Sequence, residues 1–187
     1  GDLMEGVASE AASLAGHLEL SNLIYIYDDN KISLADPTDV CFTESVPKRF
    51  EAYGWYVQEI DGHDLDAISK AIENAQKESK RPSIICARTT IGFGSPNKAG
   101  TSDVHGSPLG ADELKLTKAK LGWDAKEDFV VADDVKEICK QSLADKTKEY
   151  DKWQAAYSKW AGDNKELAQQ FKDQAERKLP ANLKNAL

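Results

Sequence analysis

The sequence has few cysteines, one methionine and three histidines in 187 residues, and each scarcity removes a class of protein. The Cys residues stand at 41, 86 and 139, an odd number without CxxC spacing, so neither a disulfide framework nor a cysteine-rich zinc site is expected. A reducing cytoplasm is the simplest compartment for such a chain. No apolar run approaches the ~18 residues of a membrane helix, and the first residues lack the basic-then-apolar order of a signal peptide, so no membrane is expected as a partner. Basic residues are outnumbered, 24 Lys and Arg against 32 Asp and Glu. The resulting charge of -8 repels a phosphate backbone, and no basic cluster is interleaved with aromatics, so nucleic acid is not an expected partner either. Internal repeats and low-complexity tracts are missing too. The single Met is not at position 1 and the sequence opens on a Gly-Asp turn, so a fragment is expected.

What is present points to a folded α/β protein. A hydrophobic content of 41% is enough to bury one principal core. From Leu3 to about His17, apolar residues recur every three or four positions among small residues, which predicts a helix able to bury more than one side at a subunit or domain interface. LIYIYDD (23–29) is apolar until its acidic end, the pattern of a strand covered on both faces. A helix over about 44–53, a strand at WYVQEI, a helix at HDLDAISKAIENAQKES and a strand at RPSIICARTT follow. This order predicts a doubly wound, mainly parallel sheet, in which ligands gather at the carboxyl ends of the strands. A glycine-rich loop over 89–110 has no periodicity, and loops of that length in compact domains are usually functional or disordered. ADELKLTKAKLGW predicts another helix, and from about Asp133 the chain reads as charged and amphipathic helix. Leu179-Pro180-Ala181 reads as a linker.

The candidate site residues lie at the ends of these strands. In YDDNKIS, Asn30 can turn its side-chain oxygen to a cation while the carbonyl of Ile32 points the same way, and mixed oxygen ligands suit Mg2+ or Ca2+. The same residues equally fit an Asx turn that merely satisfies the local backbone. The opening Gly-Asp pair fits either a bland turn or a close approach to phosphate at a helix start. His105, in the glycine-rich loop, is the histidine best placed to meet a ligand. His17 suits packing or capping, and His63 a structural role beside a capping Asp64. Glu5 and Glu10 stand among small and apolar residues; if that helix is buried, their carboxylates must be paired, protonated or hydrogen-bonded. Trp153, Tyr157 and Trp160, spaced by four and three, read as a core face rather than a cofactor box.

Taken together, GDLMEGVASEAASLAGHLELSNLIYIYDDNKISL, RFEAYGW, DGHD, TTIGFGSPNKAGTSDVHGSPLG and LPAN closely resemble transketolase over essentially the whole chain. The resemblance implies the later part of the thiamine diphosphate-binding (PP) domain over residues 1–130, with 131–187 as a helical extension and linker towards an absent pyrimidine-binding domain. It implies thiamine diphosphate and a divalent metal, Mg2+ with Ca2+ or Mn2+ as substitutes. The implied activity is two-carbon ketol transfer from a ketose phosphate to an aldose phosphate in the pentose phosphate pathway, by a homodimer in the cytoplasm. The piece alone is expected to be inactive. Transketolase-like dihydroxyacetone synthase, which differs in acceptor, and a non-catalytic cofactor-binding module are the competing readings.

Family residues carry over position by position. Transketolases hold the ion with the Asp of a Gly-Asp-Gly motif, an Asn about 30 residues later and a carbonyl two residues beyond that Asn. Asp2 precedes Asn30 by only 28 positions. The gap-free alignment therefore makes Gly1 the last glycine of the motif and places the metal Asp before the chain; the rival alignment makes Asp2 the ligand and deletes two residues. The gap-free one is preferred because every later block then stays in register. The resemblance implies that Asn30 and Ile32 bind metal, that Gly1 and Asn30 approach the diphosphate and that Leu34 contacts the cofactor ring. His105 matches a histidine that touches cofactor and donor sugar. Glu5 and Glu10 match dimer-interface glutamates proposed to share protons between active sites.

Overall fold

The computed structural model describes residues 1–123, 129–179 and 183. The chain divides into two compact units, Gly1–Asp124 and Ala125–Leu187. The linker expected at Leu179-Pro180-Ala181 and the LPAN block fall largely outside the described residues.

The first unit runs α1 (Gly6–His17), β1 (Ile24–Asp29), α2 (Val46–Ala52), β2 (Tyr56–Asp61), α3 (Leu65–Lys77), β3 (Ser83–Arg88) and α4 (Ala111–Lys120). The strands form one parallel sheet in the order β1-β3-β2. The crossover through α2 thus moves two strands one way and the crossover through α3 moves one strand back. Crossovers of one hand can reverse direction only by using opposite faces of the sheet, so α2 and α3 lie on opposite sides. The side chains of β3 bear this out. Ile84 and Cys86 join Ala12 and Ala15 of α1, Val46 and Phe50 of α2, and Trp55 in one core; Ile85 meets Ala71 and Ala75 of α3 in the other. The expected doubly wound α/β layer is therefore present.

Local signals explain the element ends. The Ser45 hydroxyl accepts from the Lys48 amide, and Pro47 occupies the first turn of α2. The Asp64 carboxylate accepts from the amides of Asp66 and Ala67, capping α3 as its sequence position suggested. The first helix departs from expectation at its start: Asp2–Met4 form a separate 3-10 turn, and Glu5 is extended before α1 begins. α1 is seated by Trp55, whose buried indole N–H donates to the Ala12 carbonyl at 2.8 Å. Its approach to the chain end of α2 is so close that a Cβ on Gly16 would lie 1.9 Å from the Tyr53 carbonyl oxygen.

Two expectations about burial are corrected. β1 is an edge of the described sheet and α3 packs on β2 and β3, so β1 is not covered on both faces: Ile26 is 60% exposed and Tyr25 47%. In the second unit, α5 (Asp133–Asp163) and α6 (Lys165–Ala175) bury no residue. Trp153 and Trp160 are consequently exposed rather than part of a core face, and Tyr157 is half-buried. Trp153 stacks on Tyr157 with ring centroids 5.3 Å apart, and Tyr157 meets Phe171 of α6 at 5.8 Å.

Candidate functional site

At the carboxyl end of β1 the chain turns sharply on itself. Asn30 Oδ1 accepts from the Ile32 amide at 2.9 Å, which is the Asx turn the sequence allowed. The turn requires Lys31 in the left-handed region, φ +60°, a conformation that a residue with a Cβ holds only where its surroundings fix it. They do so here: the Lys31 carbonyl accepts from the Thr38 amide at 2.9 Å, Ile32 bridges to Pro37, and the Lys31 ammonium lies 2.7 Å from Asp29. Residues 31–38 therefore form a tight excursion with Leu34 at its tip, 78% exposed.

The neighbouring carboxyl end of β3 locks onto this turn. The Thr89 hydroxyl donates to the Asp28 carboxylate, Asn30 Nδ2 donates to the same carboxylate at 3.4 Å, and Arg88 donates to the Asp29 carbonyl at 2.8 Å. From Thr90 onward the long loop is pinned by His63, which accepts from the Thr90 amide at 2.9 Å on Nε2 and stacks on Phe93 with ring centroids 4.0 Å apart. That acceptor role requires the neutral imidazole with its proton on Nδ1.

A cavity of about 600 Å³ opens between these parts. Gly1 and Asp2, Tyr25, Ile26 and Tyr27 of β1, Asn30, Ile32 and Leu34 of the turn, and His105 of the long loop all line it. Sequence positions separated by as many as 104 residues thus share one wall-to-wall space. The expected metal and cofactor residues Asn30, Ile32, Gly1, Leu34 and His105 are all brought together.

Glu5 and Glu10 are not. Glu10 borders a separate shallow cleft with Ser9, Ser13, Leu14, His17 and Tyr53, and Glu5 precedes α1. Both carboxylates are exposed, because α1 buries only Ala12 and Ala15 within this chain. Within the single chain they lie on a solvated edge. His17 is likewise exposed, in the last turn of α1.

Residues unnoticed in the sequence shape the electrostatics. Burial pushes the Tyr27 phenol up to about 12, with the Asp29 carboxylate adding to the rise, so this cavity-lining residue is neutral. Behind it, burial pushes the Cys86 thiol up to about 11. A period-two count from Asp29 back to Tyr27 was the available signal, since both then share a face of β1.

The donor set suits a hard cation and a diphosphate. Asn30 Oδ1 has a second lone pair beyond the one given to the Ile32 amide. A Cβ on Gly1 would meet nothing within 4 Å, so the backbone there is open to close approach. The exposed Leu34 supplies apolar surface for a ring. Among the described residues no group of three or more His, Cys, Asp or Glu could hold a metal.

Comparison with known proteins agrees with this architecture. The chain is 49% identical to transketolase of Geobacillus stearothermophilus over 182 residues, covering 96% of this chain and 27% of the relative. It is 48% identical to transketolase of Staphylococcus aureus, covering 100% of this chain and 28% of that one. Among solved structures, transketolase of Pichia stipitis in complex with fructose 6-phosphate superposes with a TM-score of 0.86 at 42% identity, over 99% of this chain and 28% of that one. Transketolase of Leishmania mexicana does so with a TM-score of 0.87 at 38% identity, over 96% and 27%. The chain thus spans little more than a quarter of these relatives' length. The sequence model described as "Transketolase, thiamine diphosphate binding domain" matches residues 1–180, and the chain belongs to that family.

Proposed function

We propose that this chain is the part of a transketolase that grips the diphosphate and metal end of thiamine diphosphate. The observation that carries the reading is the cavity that gathers Gly1, Asn30, Ile32 and Leu34 at the carboxyl end of β1 with His105 of the loop that follows β3. Asn30 and the Ile32 carbonyl hold Mg2+, for which Ca2+ or Mn2+ can substitute, and the Gly1 backbone lies against the diphosphate. Leu34 packs on the ring. When bound, the cofactor supplies the carbon nucleophile and the electron sink of two-carbon ketol transfer. His105, exposed at the rim, orients the donor sugar and can hold or move a proton at its hydroxyls.

The substrates in this proposal are a ketose phosphate donor and an aldose phosphate acceptor. It is supported by the Pichia stipitis relatives, which are complexed with fructose 6-phosphate, sedoheptulose 7-phosphate and xylulose 5-phosphate. Residues 1–130 are assigned to a partial cofactor-binding domain and 131–187 to the helical extension. The full-length enzyme is a cytoplasmic homodimer. Its contact surface includes α1, where Val7 is 69% and Leu14 55% exposed and where Glu5 and Glu10 face the partner. Three free thiols support the reducing compartment. Among the described residues no helix is long and apolar enough to cross a membrane.

The test is an assay of the purified 187-residue chain with ketose and aldose phosphates, thiamine diphosphate and Mg2+. No turnover is expected, since one coordination half-site and one subunit cannot assemble the reaction. Turnover by the chain alone would overturn the reading as a partial site.

A further inference from the structure

The loop that carries His105 leaves the sheet after β3 and returns at α4, and one buried carboxylate grips its middle. Glu113, in the first turn of α4, accepts from the Ser95 hydroxyl and, at 2.8 Å, from the Asn97 amide on Oε1; it accepts from the Asn97 side chain on Oε2 at 2.9 Å. Ser95 is buried as well, and its hydroxyl oxygen accepts from the Lys98 amide at 3.1 Å. The Lys98 ammonium donates to the Leu109 carbonyl at 3.0 Å and so draws the two limbs of the loop together. From Lys98 the bonds continue towards His105. The Thr101 hydroxyl donates to the Lys98 carbonyl at 2.8 Å, and the His105 amide donates to the Ser102 carbonyl at 2.9 Å.

This chain of short bonds matters because the loop is otherwise permissive. Gly92, Gly94, Gly100, Gly106 and Gly110 all have positive φ, and the His105 side chain itself is exposed. Glycines make such conformations reachable but add the entropy of many alternatives. A fixed carboxylate removes those alternatives.

We propose that Glu113 is a positioning residue: by gripping Ser95 and Asn97 it sets the loop so that His105 stays at the cavity, an assignment that rests on the reading of His105 as a ligand-facing residue. Glu113 does not line the cavity and acts only through the loop. The Ser95 and Asn97 bonds hold its carboxyl down at about 2, so the grip is intact throughout the neutral range. Asp112, its neighbour in the same helical turn, carries the same charge and is exposed, which makes it the control.

The experiment compares the isotope-labelled 187-residue chain with Glu113→Gln and Asp112→Asn, reading the His105 imidazole resonances and amide exchange. Glu113→Gln keeps the shape but turns a donor towards the Asn97 amide. It is expected to shift or split the His105 resonances and to speed exchange at 95–105 by about tenfold or more, with exchange in β3 and α3 unchanged. Asp112→Asn should do neither. Unmoved His105 resonances in Glu113→Gln, or faster exchange spread equally over β3 and α3, would overturn the proposal. If Glu113→Gln does not fold, Asn97→Ala, which deletes only the partner of Oε2, is read by the same measurements with the same two outcomes. His105→Ala titrated with thiamine diphosphate and Mg2+ tests the underlying reading separately. Unchanged affinity there, with displaced His105 resonances in Glu113→Gln, removes the ligand role and leaves the clamp standing.

Discussion

The amide of Ile32 donates to the side-chain oxygen of Asn30 at 2.9 Å, so the two residues read as metal-binding are already held in one turn. The Asx turn is compatible with the proposed metal half-site, because a side-chain amide oxygen has two lone pairs. The turn holds the Asn30 side chain in place, and such preorganisation would favour a hard cation bound by few protein oxygens.

Replacing Asn30 removes a ligand and the turn together. In an enzyme containing this segment, Asn30→Ala should raise the apparent dissociation constant for Mg2+ by about tenfold or more, corresponding to roughly 1.4 kcal/mol. The lost bond to Ile32 should cost about 1 kcal/mol of stability. Calorimetric titration and urea unfolding separate the two effects, and wild-type metal affinity in the variant would contradict the assignment.

Gly16 is demanded by space. Its φ is not positive, yet an added Cβ would sit 1.9 Å from the Tyr53 carbonyl oxygen, and that atom is backbone. Gly16→Ala must displace α1 or the end of α2, at a cost of about 1–3 kcal/mol from overpacking. A lowered urea midpoint is expected, whereas Gly6→Ala, with nothing within 4 Å of its Cβ, should leave the midpoint nearly unchanged.

Trp55 combines packing and a hydrogen bond, and two substitutions divide them. It is 2% exposed, meets Phe50 edge-on with centroids 5.1 Å apart and donates to Ala12. Trp55→Phe should lose about 1 kcal/mol with the indole donor, and Trp55→Ala about 3–5 kcal/mol with the cavity it leaves. Chemical denaturation followed by circular dichroism provides both numbers.

Acid should release the His105 loop before it reaches the sheet. The carboxyl of Glu113 has an ordinary value of 4.5 and is depressed to about 2 in the fold, first by the Ser95 hydroxyl and then by Asn97. Its contribution to stability is therefore fully present above about pH 4.5 and is lost as the pH falls towards 2. Amide exchange at 95–98 should accelerate in that window, and Glu113→Gln should abolish the acceleration.

Much of this was legible in the sequence, for identifiable reasons. Strands ending in YDDN and ARTT, the Asp64 cap and the helix at 111–120 follow from period, capping chemistry and turn residues, all of which act within a few positions. Asn30, Ile32, Leu34 and His105 were singled out through resemblance to one family, and the structure adds that they line one cavity. Coverage of β1 was not legible, because an apolar run records what the strand needs and says nothing about which neighbours stand on each face. The Trp153, Tyr157 and Trp160 stripe was misjudged for the same reason: helical spacing puts three rings on one face but does not say how far a second surface will cover them, and Trp153 and Trp160 stay exposed while Tyr157 is half-buried beside Phe171.

By itself the sequence determined the elements and their parallel pairing, because those depend on backbone propensity and residue type over short spans; the proposed diphosphate and metal half-site came from resemblance to one family. Only the tertiary structure decided that Gly1, Asn30 and His105 share one cavity, that Thr89 meets Asp28 and that Glu113 grips the loop from outside the site. These are contacts between strand ends and loops far apart in sequence. They exist because the reversed crossover sets β1 beside β3, a juxtaposition that no local pattern encodes.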